Sequence, residues 1–304
     1  MFAISTAWNY KSDGKIQEML AEIKELGFQA IELGYRLKVP ELRELISLLA
    51  KMKLAVSSVH NFCPVPDDYP SLRHPSNYYR LSAVDEEERK LAVKWTKAAV
   101  DTAGQVSCNV VVIHAGTIEL ENDPTDMIRQ YKAGQSDPAQ FVRLRDQLLR
   151  DRENKKKPFW ESVVKSLDEV IQYAQKRKVK IGLETRYYPT EIPNFEEIGY
   201  LLDLFPAEVM GFWHDIGHGE VNVRLGLVKN HRAYLDHYRN RLIGIHIHGV
   251  NGLKDHQAPF SGDFDGTSIL AALSKETIKV IESHAYATPE EIKEALVKLK
   301  ALWK

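Results

Sequence analysis

Residues 211–218 read GFWHDIGH. The apolar run VMGFWHD (209–215) ends on His214 and Asp215, and His218 follows just after Gly217. A solvated surface turn would account for these polar residues, and so would one strand tip of a larger constellation. The octapeptide does not separate the two, but its neighbours along the chain do. Seven more short runs rich in β-branched residues share its character: FAIST (2–6), AIEL (30–33), LAVSSVH (54–60), NVVVIHAG (109–116), VKIGLE (179–184), LIGIHIHG (242–249) and KVIESH (279–284). Near-continuous apolar runs suit strands covered on both faces, and such strands are usually parallel. Amphipathic stretches lie between them. GKIQEMLAEIKELG sets Ile16, Leu20, Ile23 and Leu26 on one helical face and stops at Gly27. The last helix opens on Thr288 as cap, Pro289 in the first turn and Glu291 closing a capping box, with Ile292, Leu296, Leu299 and Trp303 as its buried stripe.

Eight strand–helix beats predict an α/β fold: one closed (β/α)8 TIM barrel as a single domain over residues 1–304. Two doubly wound open sheets are the alternative. From Glu184 to Asp215 is 31 residues, from Asp215 to His248 33, and from His248 to Glu282 34, one βα unit each. The intervals from His60 to His114 (54) and from His114 to Glu184 (70) are longer. Insertions are therefore expected after strands 3 and 4, over the barrel end where active sites are built. Pro64, Tyr69, Tyr78 and Tyr79 are candidates for the wall of a pocket there.

With 304 residues, 44% of them hydrophobic, the chain can bury a sizeable core. A formal charge of −1, with dispersed acids and bases, supplies no field for nucleic acid or an anionic membrane. The basic run RDRENKKKP (150–158) reads as a solvated helix end. Cys63 and Cys108 form neither a framework nor a C-x-x-C, which points to a reducing compartment. MFAISTAWNY has no signal-peptide pattern, and nothing approaches 18 unbroken apolar residues. A cytoplasmic protein is expected, and a homo-oligomer is compatible with this composition.

The runs end in titratable residues: Glu32, His60, His114, Glu184, Asp215, His248 and Glu282. In a parallel barrel these tips converge on one mouth. Each alone has a plain alternative, a hydrogen-bonded structural imidazole or, for Glu32, a salt bridge to Arg36. Several carboxylates in one apolar mouth, however, call for a neutralising cation. Carboxylate and imidazole ligands suit zinc, manganese or iron.

The ordered set IHAG, GLETR, HDIGH, HIHGVNGLKDH and VIESH resembles that of the xylose isomerase-like TIM barrels, the sugar phosphate isomerases and epimerases related to endonuclease IV. The resemblance covers essentially the whole chain. It implies one divalent ion, manganese or zinc, with more than one ion as the variant, held by Glu184, Asp215, His248 and Glu282. HIHG offers both His246 and His248, and the family pattern, three residues before an Asp or Asn (here Asn251), selects His248. Gly249 stands where relatives often carry Asp. The resemblance further implies Glu184 and Glu282 as the catalytic pair, and His218, Arg186, His60, His114 and His256 as substrate contacts.

The implied activity is a ketose isomerase or epimerase, with proton transfer through a metal-stabilised enediolate and a sugar as the small-molecule partner. The alternative is an endonuclease IV-like multi-metal phosphodiester hydrolase, or another metal-dependent hydrolase or lyase. His60, His114 and His218 stand where that enzyme has further ligands, whereas Asp255 and His256 are adjacent where its pattern is Asp-x-His. His218 separates the readings: a substrate contact in the first, a metal ligand in the second.

Overall fold

The computed structural model describes residues 2–12, 14–67, 73–121, 127–129, 131 and 138–303. Its strands in chain order are β1 (Phe2–Ser5), β2 (Ala30–Leu33), β3 (Ala55–His60), β4 (Val110–Ile113), β5 (Gly116–Thr117), β6 (Lys180–Glu184), β7 (Glu191–Ile192), β8 (Met210–Asp215), β9 (Leu242–Ile247), β10 (Gly249–Asn251), β11 (Lys254–Gln257) and β12 (Ile278–Ile281). Eight of them close into a parallel barrel in the order β1-β12-β9-β8-β6-β4-β3-β2. These are the eight apolar runs of the sequence. The short pairs β5–β7 and β10–β11 are antiparallel and lie outside the barrel sheet. No helix among the described residues is long and apolar enough to cross a membrane.

Alternation along each strand splits the core in two. Outward side chains such as Ile4, Leu33, Val111, Leu183 and Phe212 join the helices in the main cluster. Inward side chains form a separate, smaller cluster of Ala3, Ala30, Val110, Val112, Trp213 and Val280. Most of these are small because Trp213 fills the barrel. Gly182 and Gly244, on the strands either side of β8, leave the space: a Cβ on Gly244 would stand 2.0 Å from Trp213 Cζ3, and one on Gly182 3.2 Å from Cε3. The indole N–H finds no acceptor among the described residues, so the ring sits there for its volume. This plug is the floor on which the site is built.

The helices follow their local signals. The first spans Ile16–Glu25, with Gly27 at φ +90° beyond it. The last spans Pro289–Leu302, with the Thr288 side chain accepting from Glu291 N–H in a capping box. The basic run 150–158 is not a helix end. It lies inside one helix, Pro138–Lys176, with Pro158 within it. Most of the run is solvated, but Arg152 is buried against Glu197 at 2.7 Å.

Both long intervals leave the C-terminal end of the barrel. The first returns over it through the short 3-10 turn Pro75–Asn77. The second buries Met127, Ile128, Phe141 and Leu148 with Tyr187, Val221 and Val250, which follow β6, β8 and β9. Tyr78 and Tyr79 go into the main core and Pro64 stays off the cavity wall, so the pocket role expected of them is corrected. Tyr69 lies outside the described residues.

The plug can be tested by volume. Gly244→Ala should destabilise the fold by about 1–3 kcal/mol, because a rigid indole must move. Gly104→Ala, in the helix Glu86–Gln105 with nothing within 4 Å of its added Cβ, should instead stabilise by about 0.4–1 kcal/mol. Urea midpoints at unchanged slope read both. A Gly244→Ala protein as stable as the parent would show that Trp213 does not hold this space.

Candidate metal centre

Directly above the plug, β2, β6, β8, β9 and the residue after β12 contribute Glu32, Glu184, Asp215, His246 and Glu282, none more than 2% exposed. The register explains the meeting: Asp215 pairs with His246 across β8 and β9, and Glu282 stands two residues beyond His246's partner Val280. His246 is the hub. Its Nδ1 lies 2.8 Å from Glu184 Oε1, 2.9 Å from Glu282 Oε2 and 3.7 Å from Asp215 Oδ2, while Nε2 lies 3.1 Å from Glu32 Oε2. Glu32 thus pairs with His246, and with the Ser58 hydroxyl at 2.8 Å, rather than with Arg36. The Trp213 indole meets the His246 ring edge-on at 5.2 Å from below.

Burial resists charge on these groups, and their mutual contacts overcome it. For His246, burial lowers the pKa, but Glu282, Glu32 and Glu184 hold it well above the ordinary imidazole range. For Glu184, burial raises the pKa, yet the His114 and Arg186 contacts and the His246 hydrogen bond hold it well below the usual carboxylate range. Asp215 is lowered likewise, against burial, by His218 and His248. An imidazolium among ionised carboxylates results.

The sequence reading placed His248 with Glu184, Asp215 and Glu282. The structure gathers His246 there instead: one donor atom each from Glu184, Asp215, His246 and Glu282 lies within 4.8 Å of all the others. His248 stands on the other side of Asp215, with Nε2 2.9 Å from Oδ1 and Nδ1 accepting from His256 N–H at 2.9 Å. With Nδ1 accepting, the neutral imidazole carries its proton on Nε2, which donates to Asp215. Gly217 permits this placement, since a Cβ there would come within 1.9 Å of His248 Cε1. Sequence spacing puts both histidines on one face of β9, and only the register to β8 separates them.

The donor set fits a divalent ion. Ligand bonds of about 2.0–2.3 Å can reach one centre from atoms this close together. Three carboxylates and an imidazole, without thiolate, suit manganese, zinc or iron. Three other sets also bring donors within 4.8 Å: His60, His114 and Glu184; Asp215, His248 and His256; His218, Asp255 and His256.

A cavity of about 320 Å³ opens above this floor. The sequence-expected contacts His60, His114, Arg186, His218 and His256 all line it, beside Tyr35, Tyr187 and Tyr188. Arg186 donates from Nη1 to Glu184 Oε2 at 2.6 Å and from Nη2 to Glu191 Oε1 at 2.7 Å. His114 donates from Nε2 to Glu184 Oε2 at 2.7 Å, and Asn77 of the first insertion stands 3.1 Å from its Nδ1. His60 Nε2 is 3.8 Å from the same oxygen. His218 donates from Nδ1 to Thr185 O at 2.9 Å, and its Nε2 faces Asp255 Oδ2 at 3.4 Å. Burial opposes its charge, but Asp215 and Asp255 push its pKa up to about 10. Glu191, His74 and His284, to which the sequence assigned no role, also line the cavity, as does Asp255 of the DH pair.

The model of the xylose isomerase-like TIM barrel family matches residues 20–302. None of the curated proteins matches the sequence. Among solved structures, a D-tagatose 3-epimerase-like protein is 17% identical, with a TM-score of 0.71 over 99% of this chain and 96% of its own. The 3-keto-D-glucoside 4-epimerase of E. coli is 15% identical, with a TM-score of 0.64 over 99% and 98%. The D-psicose 3-epimerase of Clostridium cellulolyticum is 12% identical, with a TM-score of 0.67 over 100% and 99%. Likenesses at such identities speak to the fold alone. The family match, spanning nearly the whole barrel, together with the closed sheet and its ring of strand-tip carboxylates and imidazoles, places this chain in the xylose isomerase-like TIM barrel family.

Proposed function

We propose that the chain is an enzyme, a metal-dependent isomerase or epimerase of a ketose. The observation that carries this reading is the meeting of two glutamates, Glu184 and Glu282, on one imidazole at the floor of a cavity with room for a monosaccharide. Glu184, Asp215, His246 and Glu282 would hold the ion. A divalent ion bound there supplies Lewis acidity to a carbonyl and its neighbouring hydroxyl. Glu184, kept ionised by its contacts, takes the proton from the carbon next to the carbonyl. Glu282 starts each turnover protonated and returns that proton, and the two carboxyl groups exchange protons with solvent before the next. Return to the same carbon from the opposite face is epimerisation, and return to the neighbouring carbon is isomerisation. His218, charged at neutral pH, donates to a substrate oxygen, and Arg186 holds another. Tyr35, Tyr187 and Tyr188 give apolar faces for the carbon skeleton. The epimerases among the structural neighbours support the sugar as substrate class.

A second reading, a multi-metal phosphodiester hydrolase, is favoured by the three further donor sets. The number of ions bound per chain decides between the two readings.

Three outcomes are expected. Titration calorimetry with Mn2+ should find one site per chain, weakened most by His246→Ala, by more than about 100-fold, and by about 10- to 100-fold by His248→Ala, which removes only an outer hydrogen bond to Asp215. The reverse order would return the ligand role to His248, and two or three sites would favour the hydrolase. Because His246 must shed its proton to ligate, binding should release a proton and tighten as pH rises. Affinity independent of pH would argue against His246 as a ligand. In D2O, the Mn2+-loaded protein should exchange the proton next to the carbonyl of a ketose, with Glu184→Gln and Glu282→Gln each slower by about 10²–10⁴. Full exchange in either variant would remove that glutamate from the mechanism.

A further inference from the structure

His214 is the residue of GFWHDIGH that the proposed reaction leaves unused. It points out of the barrel, opposite to Asp215, and is fully buried. Both nitrogens are engaged: Nδ1 lies 3.0 Å from Thr185 Oγ1, and Nε2 lies 3.0 Å from His231 Nε2. His231 in turn places Nδ1 3.3 Å from Glu220 Oε2 and stacks on Phe264 at 5.2 Å. Gly219 makes room for the pair, because a Cβ there would come within 2.8 Å of His214 Cε1 and 3.0 Å of His231 Nε2.

The carboxylate at one end sets the direction of the whole chain. Glu220 only accepts, so His231 carries a proton on Nδ1, and as a neutral imidazole it accepts at Nε2. His214 must then donate from Nε2, which leaves its Nδ1 bare to accept from the Thr185 hydroxyl. Donation runs one way, Thr185 to His214 to His231 to Glu220. Thr185 stands between Glu184 and Arg186, and its carbonyl receives the His218 N–H. At the far end Glu220 accepts from Arg224 at 2.8 Å, which donates to Gly252 O, in the hairpin that carries Asp255 and His256, at 2.8 Å.

We infer that His214 and His231 are positioning residues, a directed hydrogen-bond chain that fixes the Thr185 hydroxyl and with it the Glu184–Arg186 segment facing the substrate. The inference rests on the proposed roles of Glu184 and Arg186. His214 touches no substrate; it acts through Thr185 from behind the strand. Outer hydrogen bonds of this kind typically change activity by about 10- to 100-fold.

The test has two parts. Long-range 1H–15N correlation on imidazole-labelled protein should show the proton of His214 on Nε2 and that of His231 on Nδ1. The opposite tautomers would overturn the direction. Then His231→Gln, whose amide oxygen can still accept from His214, is compared with His231→Leu, which cannot. In the Mn2+-loaded protein, His231→Leu should lower kcat for ketose proton exchange about 10-fold or more with KM within about twofold, while His231→Gln stays within about threefold of the parent. Equal losses in both variants, or a fall in melting temperature with kcat intact, would reduce the pair to a structural role and overturn the inference. A parent protein that exchanges no ketose proton sinks the proposed function instead, and the tautomers still decide the chain's direction.

Discussion

Four buried carboxylates around one buried imidazole are the constraint that the rest of this structure serves. Glu32, Glu184, Asp215 and Glu282 all lie within 3.7 Å of a nitrogen of His246. Leaving one such charge unpaired in an apolar setting costs several kcal/mol, so the arrangement persists only where a positive group is shared among them. The His246 ring is the group they share, and the donor atoms of Glu184, Asp215, His246 and Glu282 lie close enough together to fit a divalent ion. A closed parallel barrel can host this because all its strand tips emerge together, and because the Trp213 plug keeps the space beneath dry and filled.

Around the hub the chain spends polar residues on orientation. Glu184 by itself receives His246, Arg186 and His114, and two of these are held again from outside: Arg186 by Glu191, and His114 next to Asn77. Inward alternation brings Asp215 to the mouth, while outward alternation sends its neighbour His214 among the helices, where it meets His231 and Thr185. One strand therefore feeds two layers of the same site. The order is economical in sequence and explains why HDIGH is dense in polar residues at the end of a buried strand.

Much of this was legible in the residues themselves. Eight β-branched runs at βα spacing specify the barrel, because the need for strands buried on both faces is written into each run. Residues that end those runs had to share the mouth, whatever the packing, so Glu184, Asp215 and Glu282 could be grouped without coordinates. The resemblance drawn from the ordered motifs pointed to the same end of the barrel.

Other features depend on distances that no local pattern encodes. His246 and His248 are two residues apart, which alone would put them on one face, but β9 ends at Ile247 and only the stagger between β8 and β9 sets His246 opposite Asp215. Tyr78 and Tyr79 carry the composition of a pocket wall but fall into the core, since the path of an insertion is fixed by what it lands on. Glu191 reaches Arg186 through a turn with no signature, and His231 finds His214 across 17 residues. The sequence by itself determined the barrel and the residue types gathered at its mouth, because periodicity and residue type act locally. Which imidazole shares the carboxylates, and which groups hold them in place, was decided by strand register and side-chain packing, which exist only once the sheet has closed.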